Sequence, residues 1–222
     1  LVPPVEEIAA ALRPVLAGID LTVDDQQLFG LARYAHSLWS WNEKLNLTRH
    51  LTAEQFVHRD VLDSWELTKQ LKKGEQVLDF GTGGGVPGLI MKILRPDLDV
   101  TVVESVAKKG KAVMELAREA ELDVMVAIGR GELVLEEDRF DAVVTRAVGP
   151  LKQLLTMLQD HWLSIGRLLA IKGPKWVDER SDARERGLLN ELQLRKVREY
   201  PMPGNESTSV ILKVWPKGVA DD

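Results

Sequence analysis

The chain contains no cysteine. That excludes disulfides, thiolate nucleophiles and cysteine-bound metal, and it fits a reducing cytoplasm. Histidine is scarce too: His36, His50, His58 and His161 are the only four, and their spacing matches no recognised metal pattern, so no metal site is expected. No apolar run approaches the length of a membrane span, and the N-terminus lacks the basic-then-apolar pattern of a secretion signal. The expectation is a cytoplasmic chain without membrane contact. An excess of positive charge is also missing: 29 Lys and Arg stand against 34 Asp and Glu, a net charge of −5. Proteins that bind nucleic acid through bulk electrostatics are usually basic. Any contact with nucleic acid here has to come from a local basic patch or a shaped substrate.

What is present is ordinary in amount and uneven in arrangement. At 222 residues and 45% apolar, the chain can bury one sizeable core, and its mean hydropathy of −0.12 is that of a typical globule. The first seventy residues read as helical. A short helix is expected over residues 4–17, and Gly18 ends it. Thr22-x-x-Asp25 resembles a capping box, and Leu28, Leu31, Ala32, Ala35, Leu38, Trp39 and Asn42 follow the three/four spacing of a long amphipathic helix. Thr52-x-x-Gln55 is a second capping box, and a third helical run covers about 61–71.

From Gln76 the pattern alternates. Strands are expected at 76–80, 99–104, 124–128, 140–145 and 167–171, with helices at 86–94, 107–120, 151–158 and 175–192 between them. Such alternation builds a parallel sheet covered on both faces. The end differs: 193–200 and 208–215 read as a hairpin around Pro201-Met-Pro203-Gly204-Asn205, and 217–222 as a frayed end. The fold class is therefore α/β, Rossmann-like, a mostly parallel sheet with a C-terminal antiparallel hairpin, as in class I methyltransferases. A helical extension, 1–72, precedes a core domain, 73–222.

The most informative stretch runs from Val77 to Gly88. A buried strand ends in Asp79, and Gly81, Gly83, Gly84, Gly85 and Gly88 follow within eight positions. Pro87 suits the first turn of the next helix. A strand, a bare glycine turn and a helix start form a nucleotide-type site. Gly83-x-Gly85-x-x-Gly88 also matches the dinucleotide fingerprint, but Asp79 favours a different ligand. A pyrophosphate over the turn would be repelled by that carboxylate, whereas the ammonium and sulfonium of S-adenosylmethionine would be attracted. A plain structural turn capped by Asp79 is the simpler alternative.

Further candidates lie at the ends of the other strands. Glu104 stands 21 positions after Gly83, where doubly wound folds place an acid against ribose hydroxyls. Lys108, Lys109 and Lys111 follow it, as either a solvated face or phosphate contacts. Arg130-Gly131-Glu132 follows the third strand in a loop at the ligand edge, read equally as a flank for an adenine through its backbone groups or as a plain surface loop. Arg146 ends an apolar strand and needs a partner there, either an internal carboxylate or, as the favoured reading, donor or substrate. Lys172 closes the fifth strand at the same edge. Asn42 and Asn46, four apart, are placed to cap or to bridge to the core. His58, Arg59, Asp60, Asp63 and Ser64 form a polar cluster, read as a helix-start network or part of a substrate wall.

Taken in order, these pieces resemble the RsmG (GidB) family of bacterial 16S rRNA guanine-N7 methyltransferases. They are Trp41-Asn42-x-x-Leu45-Asn46-Leu47-Thr48, Leu62-Asp63-Ser64, Asp79-x-Gly81-Thr82-Gly83-x-Gly85-x-Pro87-Gly88, Glu104-Ser105-x-x-Lys108-Lys109, Arg130-x-Glu132, Arg146-Ala147 and Lys172-Gly173. The resemblance implies S-adenosylmethionine as cofactor and the small ribosomal subunit as partner; apart from it, the chain is expected to be a monomer. It implies donor contacts at Gly81, Val86, Gly131 and Glu132, Glu104 as the ribose acid, and Arg146 beside the reactive end as the catalytic residue. Asp79, Gly83 and Gly85 complete the donor set, and Lys108, Lys109, Arg130 and Lys172 are expected on RNA phosphates. Asp60 departs from the family, which often has His there, and Ala112-Val113 stands where Phe-Leu is usual. The residues alone also leave open a small-molecule or protein methyltransferase with the same donor site, and a non-catalytic nucleotide-binding regulator.

Overall fold

The computed structural model describes residues 2–204 and 206–219. Two earlier expectations fall partly outside them: Asn205 of the hairpin turn, and residues 220–222 of the frayed end.

Five parallel strands form the centre: β1 (Gln76–Phe80), β2 (Asp99–Glu104), β3 (Met125–Ile128), β4 (Phe140–Arg146) and β5 (Ile165–Lys172). β6 (Leu192–Pro201) and β7 (Thr208–Pro216) form the hairpin, and β7 pairs antiparallel with β5. The strand order is β3-β2-β1-β4-β5-β7-β6. The order reverses between β1 and β4, and open α/β sheets bind ligands beyond the strand ends at such a point.

The helices are α1 (Val5–Gly18), α2 (Asp25–Leu45), α3 (Ala53–Gln55), α4 (Leu62–Thr68), α5 (Gly88–Leu94), α6 (Ala107–Glu119), α7 (Gly131–Glu137), α8 (Leu151–Leu158) and α9 (Trp176–Glu185). A π-helical turn, Phe56–Val61, joins α3 to α4. Alternation along β1 divides the core. Leu78 and Phe80 join α7, α8 and α9 in one apolar cluster. Val77, on the opposite face, joins α5, α6 and the N-terminal helices in the other. α2 packs on α5 and α6, and α4 packs on α5, so the extension lies over the helices beside the glycine turn.

Four local expectations need correction. The cap of α2 is Asp24, not Thr22. Asp24 accepts from the Gln27 N–H at 2.8 Å, and its own N–H donates to Gln27 Oε1 at 3.0 Å. Gln27 also donates to the Leu94 carbonyl at 3.0 Å, a tertiary contact that sets where the helix begins. The run expected at 61–71 is α4 alone, continuous with the wider π turn before it. The helix expected at 175–192 stops at Glu185, and Gly187, at φ +75°, turns the chain toward β6. Arg130-Gly131-Glu132 is no open loop: Arg130 precedes α7 and Gly131 starts it, with Leu135 buried against the sheet.

Candidate functional site

The turn after β1 is held from below and from the side. Asp79 is fully buried. Its Oδ2 accepts from Thr82 Oγ1 at 2.5 Å and from the Gly88 N–H at 2.8 Å, while Oδ1 is buried without a partner. Burial pushes the Asp79 carboxyl up to about 6, against the pull of Thr82 and Gly88. The capping that the sequence offered as the simpler alternative is therefore real. Asp79 lies beneath the turn, sealed from the cleft above it. Tyr34 of α2 donates its hydroxyl to the Gly84 carbonyl at 2.7 Å and ties the turn to the extension.

Above the turn is a cleft of about 280 Å³. Gly81, Gly83, Val86, Glu104, Lys109 and Arg146 line it. Gly81 and Gly83 have φ of +76° and +63°, a backbone that exposes the main chain to a ligand. Glu104 accepts from the Gly83 N–H at 2.9 Å and the Val106 N–H at 2.8 Å, which fixes its carboxylate at the cleft wall. Gly85 does not line the cleft; its missing side chain makes room for Leu89, whose Cδ1 would lie 2.6 Å from a Cβ there.

Sequence reasoning missed Leu38, Leu47 and Thr48, which form the wall contributed by the extension, along with Thr82, Gly84 and Ala147. The Asn-Leu-Thr run did stand out, though not as a wall. Asn42 Oδ1 accepts from the Thr48 N–H at 2.7 Å, and Asn46 caps α2 in a left-handed conformation, which bends the loop over the cleft.

Arg146 has the internal partners that were the less favoured reading. Its Nη2 lies 2.7 Å from Asp60 Oδ1, and its Nη1 lies 3.3 Å from both Asp63 Oδ2 and the Arg59 carbonyl. Asp60 Oδ1 also meets His50 Nδ1 at 2.9 Å, and Asp63 Oδ1 accepts from the Tyr200 hydroxyl at 2.6 Å. The polar cluster seen in the sequence is thus a buried network joining the extension, β4 and the C-terminal hairpin. Burial works against the guanidinium charge, but Asp60 and Asp63 outweigh it and hold Arg146 above the ordinary arginine range. Burial raises Asp63, opposed by Arg146 and Tyr200. The same arginine lines the cleft.

The remaining candidates separate. Lys108 and Arg130 are exposed. Lys172 is buried, donates to the Gly149 carbonyl at 2.7 Å and pairs with Glu179 at 2.9 Å, so it is not available for a phosphate. Gly131 and Glu132 lie outside the cleft lining, at the start of α7. A Cβ on Gly131 would lie 2.3 Å from the Phe80 ring. Gly131→Ala is expected to cost about 1–3 kcal/mol through overpacking, read as a lower thermal midpoint. A variant as stable as the parent would mean the ring simply moves aside.

Glu104 is the one acid in the cleft lining, beside Lys109 and Arg146, and the charge of Arg146 is met from behind by the buried Asp60 and Asp63. Among the described residues no group of three or more His, Cys, Asp or Glu is arranged to hold a metal ion. No helix among them is long and apolar enough to cross a membrane.

Comparison with known proteins bears on the fold and the family. A crystal structure of a mutant of MtNAS in complex with S-adenosylmethionine aligns with a TM-score of 0.55 at 13% identity, over 95% of this chain and 89% of that one. A precorrin-6y C5,15-methyltransferase from Geobacter metallireducens aligns with a TM-score of 0.50 at 15% identity, over 79% and 94%. These likenesses show the fold, that of class I methyltransferases. In sequence, the chain is 47% identical to a ribosomal RNA small subunit methyltransferase G of Rhodopirellula baltica, over 88% of this chain and 84% of that protein. It is 32% identical to one from Syntrophotalea carbinolica, over 92% and 97%. Residues 27–205, which span most of the extension's long helix, the glycine turn, Arg146 and all of β6, match the family model described as GidB, rRNA small subunit methyltransferase G. The chain belongs to that family.

Proposed function

We propose that this protein transfers a methyl group from S-adenosylmethionine to N7 of a guanine in the decoding-region loop of 16S rRNA. The observation that carries the donor assignment is the Glu104 carboxylate beside bare glycine backbone, with Asp79 beneath it, at the switch point of the sheet. A cationic donor fits there, and a pyrophosphate does not. The unpartnered Asp79 Oδ1 adds negative potential beneath the same turn.

When bound, the donor supplies a methyl group activated on a cationic sulfur. Gly81 and Gly83 offer main chain to its aminocarboxypropyl end, with Asp79 attracting the ammonium from below. Glu104, already oriented by two N–H donors, accepts from the ribose hydroxyls. Val106 and Ile128 are exposed apolar side chains beside Glu104, with Ile128 its direct neighbour across β2 and β3, and together they form a surface for a purine. Gly131 and Glu132 lie beyond them. Arg146 is the catalytic candidate, held at the reactive end of the cleft by Asp60 and Asp63.

Guanine N7 has a free lone pair and no proton to lose, so the acceptor needs orientation rather than a general base. The family names of the relatives, small-subunit rRNA methyltransferases, support the acceptor assignment. Lys108, Lys109 and Arg130 are the phosphate contacts on the core side. The acting unit is taken as one chain in the cytoplasm, with residues 73–222 holding the donor and 1–72 closing the cleft.

The test is transfer of labelled methyl to small subunits from a strain lacking the enzyme, with the position mapped by strand cleavage at N7-methylguanine. Label confined to one guanine of 16S rRNA is expected. Label in metabolites or protein instead, or binding of NAD in place of S-adenosylmethionine by calorimetry, would overturn the reading.

A further inference from the structure

We infer that the helical extension docks the RNA acceptor, through Arg49 and Arg59 acting as phosphate contacts on the wall opposite Lys109. The inference rests on the proposed rRNA activity and assigns a partner-binding role to a segment that the donor site does not explain. Three observations carry it.

The first is placement. Thr48 lines the cleft, and Arg49 follows it directly, exposed. The Arg59 carbonyl accepts from Arg146 Nη1 at 3.3 Å, so Arg59 stands against the arginine of the cleft. Within the π turn the buried positions are Phe56, Val57, Asp60 and Val61, which leaves His58 and Arg59 on its outward side. Lys109 lines the same cleft from the start of α6. A base entering between these walls would have cationic groups on both sides for its flanking phosphates.

The second is charge pairing. Arg13, Arg95, Arg118, Lys152 and Arg186 each lie on a carboxylate. Arg49 and Arg59 have no carboxylate partner among the described residues. Residues 46–61 contain two acids, Glu54 and Asp60. Asp60 is buried and committed to His50 and Arg146. Arg139 and Arg184 are exposed without a carboxylate too, so what marks Arg49 and Arg59 is that their unpaired charge stands beside the cleft, where an anionic partner would meet it.

The third is that the donor cannot be what they bind. Neither Arg49 nor Arg59 lines the cleft, so a cationic rim formed by them faces a second, anionic partner. Such a local patch reconciles an acidic protein with a polyanionic substrate, and arginine suits phosphate through its planar fork of donors.

The experiment compares the Arg49→Gln/Arg59→Gln double variant, the Arg49→Lys/Arg59→Lys double variant and a Lys73→Gln control. Lys73 is exposed in the turn before β1, at the opposite end of the sheet, and loses the same kind of charge. Affinity for small subunits is measured across a salt series, and S-adenosylmethionine affinity by calorimetry. The glutamine pair is expected to weaken subunit binding several-fold and to flatten the log–log salt slope by about 0.7–0.9 per lost contact. Donor affinity and thermal midpoint should stay at wild-type values. The lysine pair should restore the slope, and Lys73→Gln should leave it unchanged. A wild-type slope in the glutamine pair, or an equal flattening in the Lys73 control, would overturn the inference while leaving the activity intact. Failure of the wild type to label rRNA would instead overturn the underlying assignment.

Discussion

Arg146→Ala is expected to lower stability by about 3–5 kcal/mol, because it strips the cation from two buried carboxylates. Asp60 would keep His50, and Asp63 would keep Tyr200, but neither partner supplies a permanent charge. For a chain of this size the thermal midpoint should fall by roughly 10 °C. Methyl transfer should fall about a hundredfold or more even where the protein stays folded, since a small displacement at a reacting centre costs that much. A second variant separates the two effects. Arg146→Met combined with Asp60→Asn and Asp63→Asn removes the buried charges together and should recover most of the stability. It should not recover transfer. Full activity in Arg146→Ala would remove this residue from the mechanism, and full activity in the triple variant would confine it to a structural role.

Asp79→Asn is expected to stabilise the fold at neutral pH while weakening the donor. The Asp79 carboxyl titrates near 6 in the folded chain, above the ordinary aspartate value of 3.8 that the unfolded chain shows. Between those values the folded form keeps a proton that the unfolded form releases. The contribution of Asp79 to stability is therefore largest below about 4 and is lost as pH rises through about 6. Above that, the ionised group costs on the order of 3 kcal/mol, which an amide of the same shape avoids. Chemical denaturation should show the variant more stable than wild type at pH 7–8 and level with it near pH 4. Donor affinity should move the other way, about tenfold weaker at pH 7.5 because the charge under the turn is gone. Wild-type affinity should also drop as pH falls through 6, with the variant flat. Equal donor affinity in both proteins across that range would remove Asp79 as an electrostatic contributor and leave it only the cap it visibly forms.

Both outcomes bear on how the site was legible. Asp79, the glycines, Glu104 and Arg146 stood out because each ends or follows an apolar strand, where a charged or bare position is conspicuous. Lys172 stood out for the same reason and was misread. Its partner Glu179, seven residues later, lies on α9, and nothing in the sequence marks that this helix folds back onto the strand end. The Arg146 partners were visible as a polar cluster at 58–64, but not their direction. The π turn sets that, by presenting Asp60 and then Asp63 to the same guanidinium. Leu38 and Leu47 were apolar residues like many others until α2 packed across α5 and brought them over the glycine turn.

Local chemistry therefore determined the strand and helix order, the glycine turn with its acid, and the sign of the ligand that turn would take. These follow from periodicity and from the few residue types that tolerate such backbone. Tertiary structure alone decided that Asp79 is sealed beneath the loop, that Arg146 is shared between two carboxylates, and that the N-terminal helices complete the cleft. Those outcomes depend on contacts between segments scores of residues apart, and the burial that shifts a carboxyl or commits an arginine exists only once those segments meet.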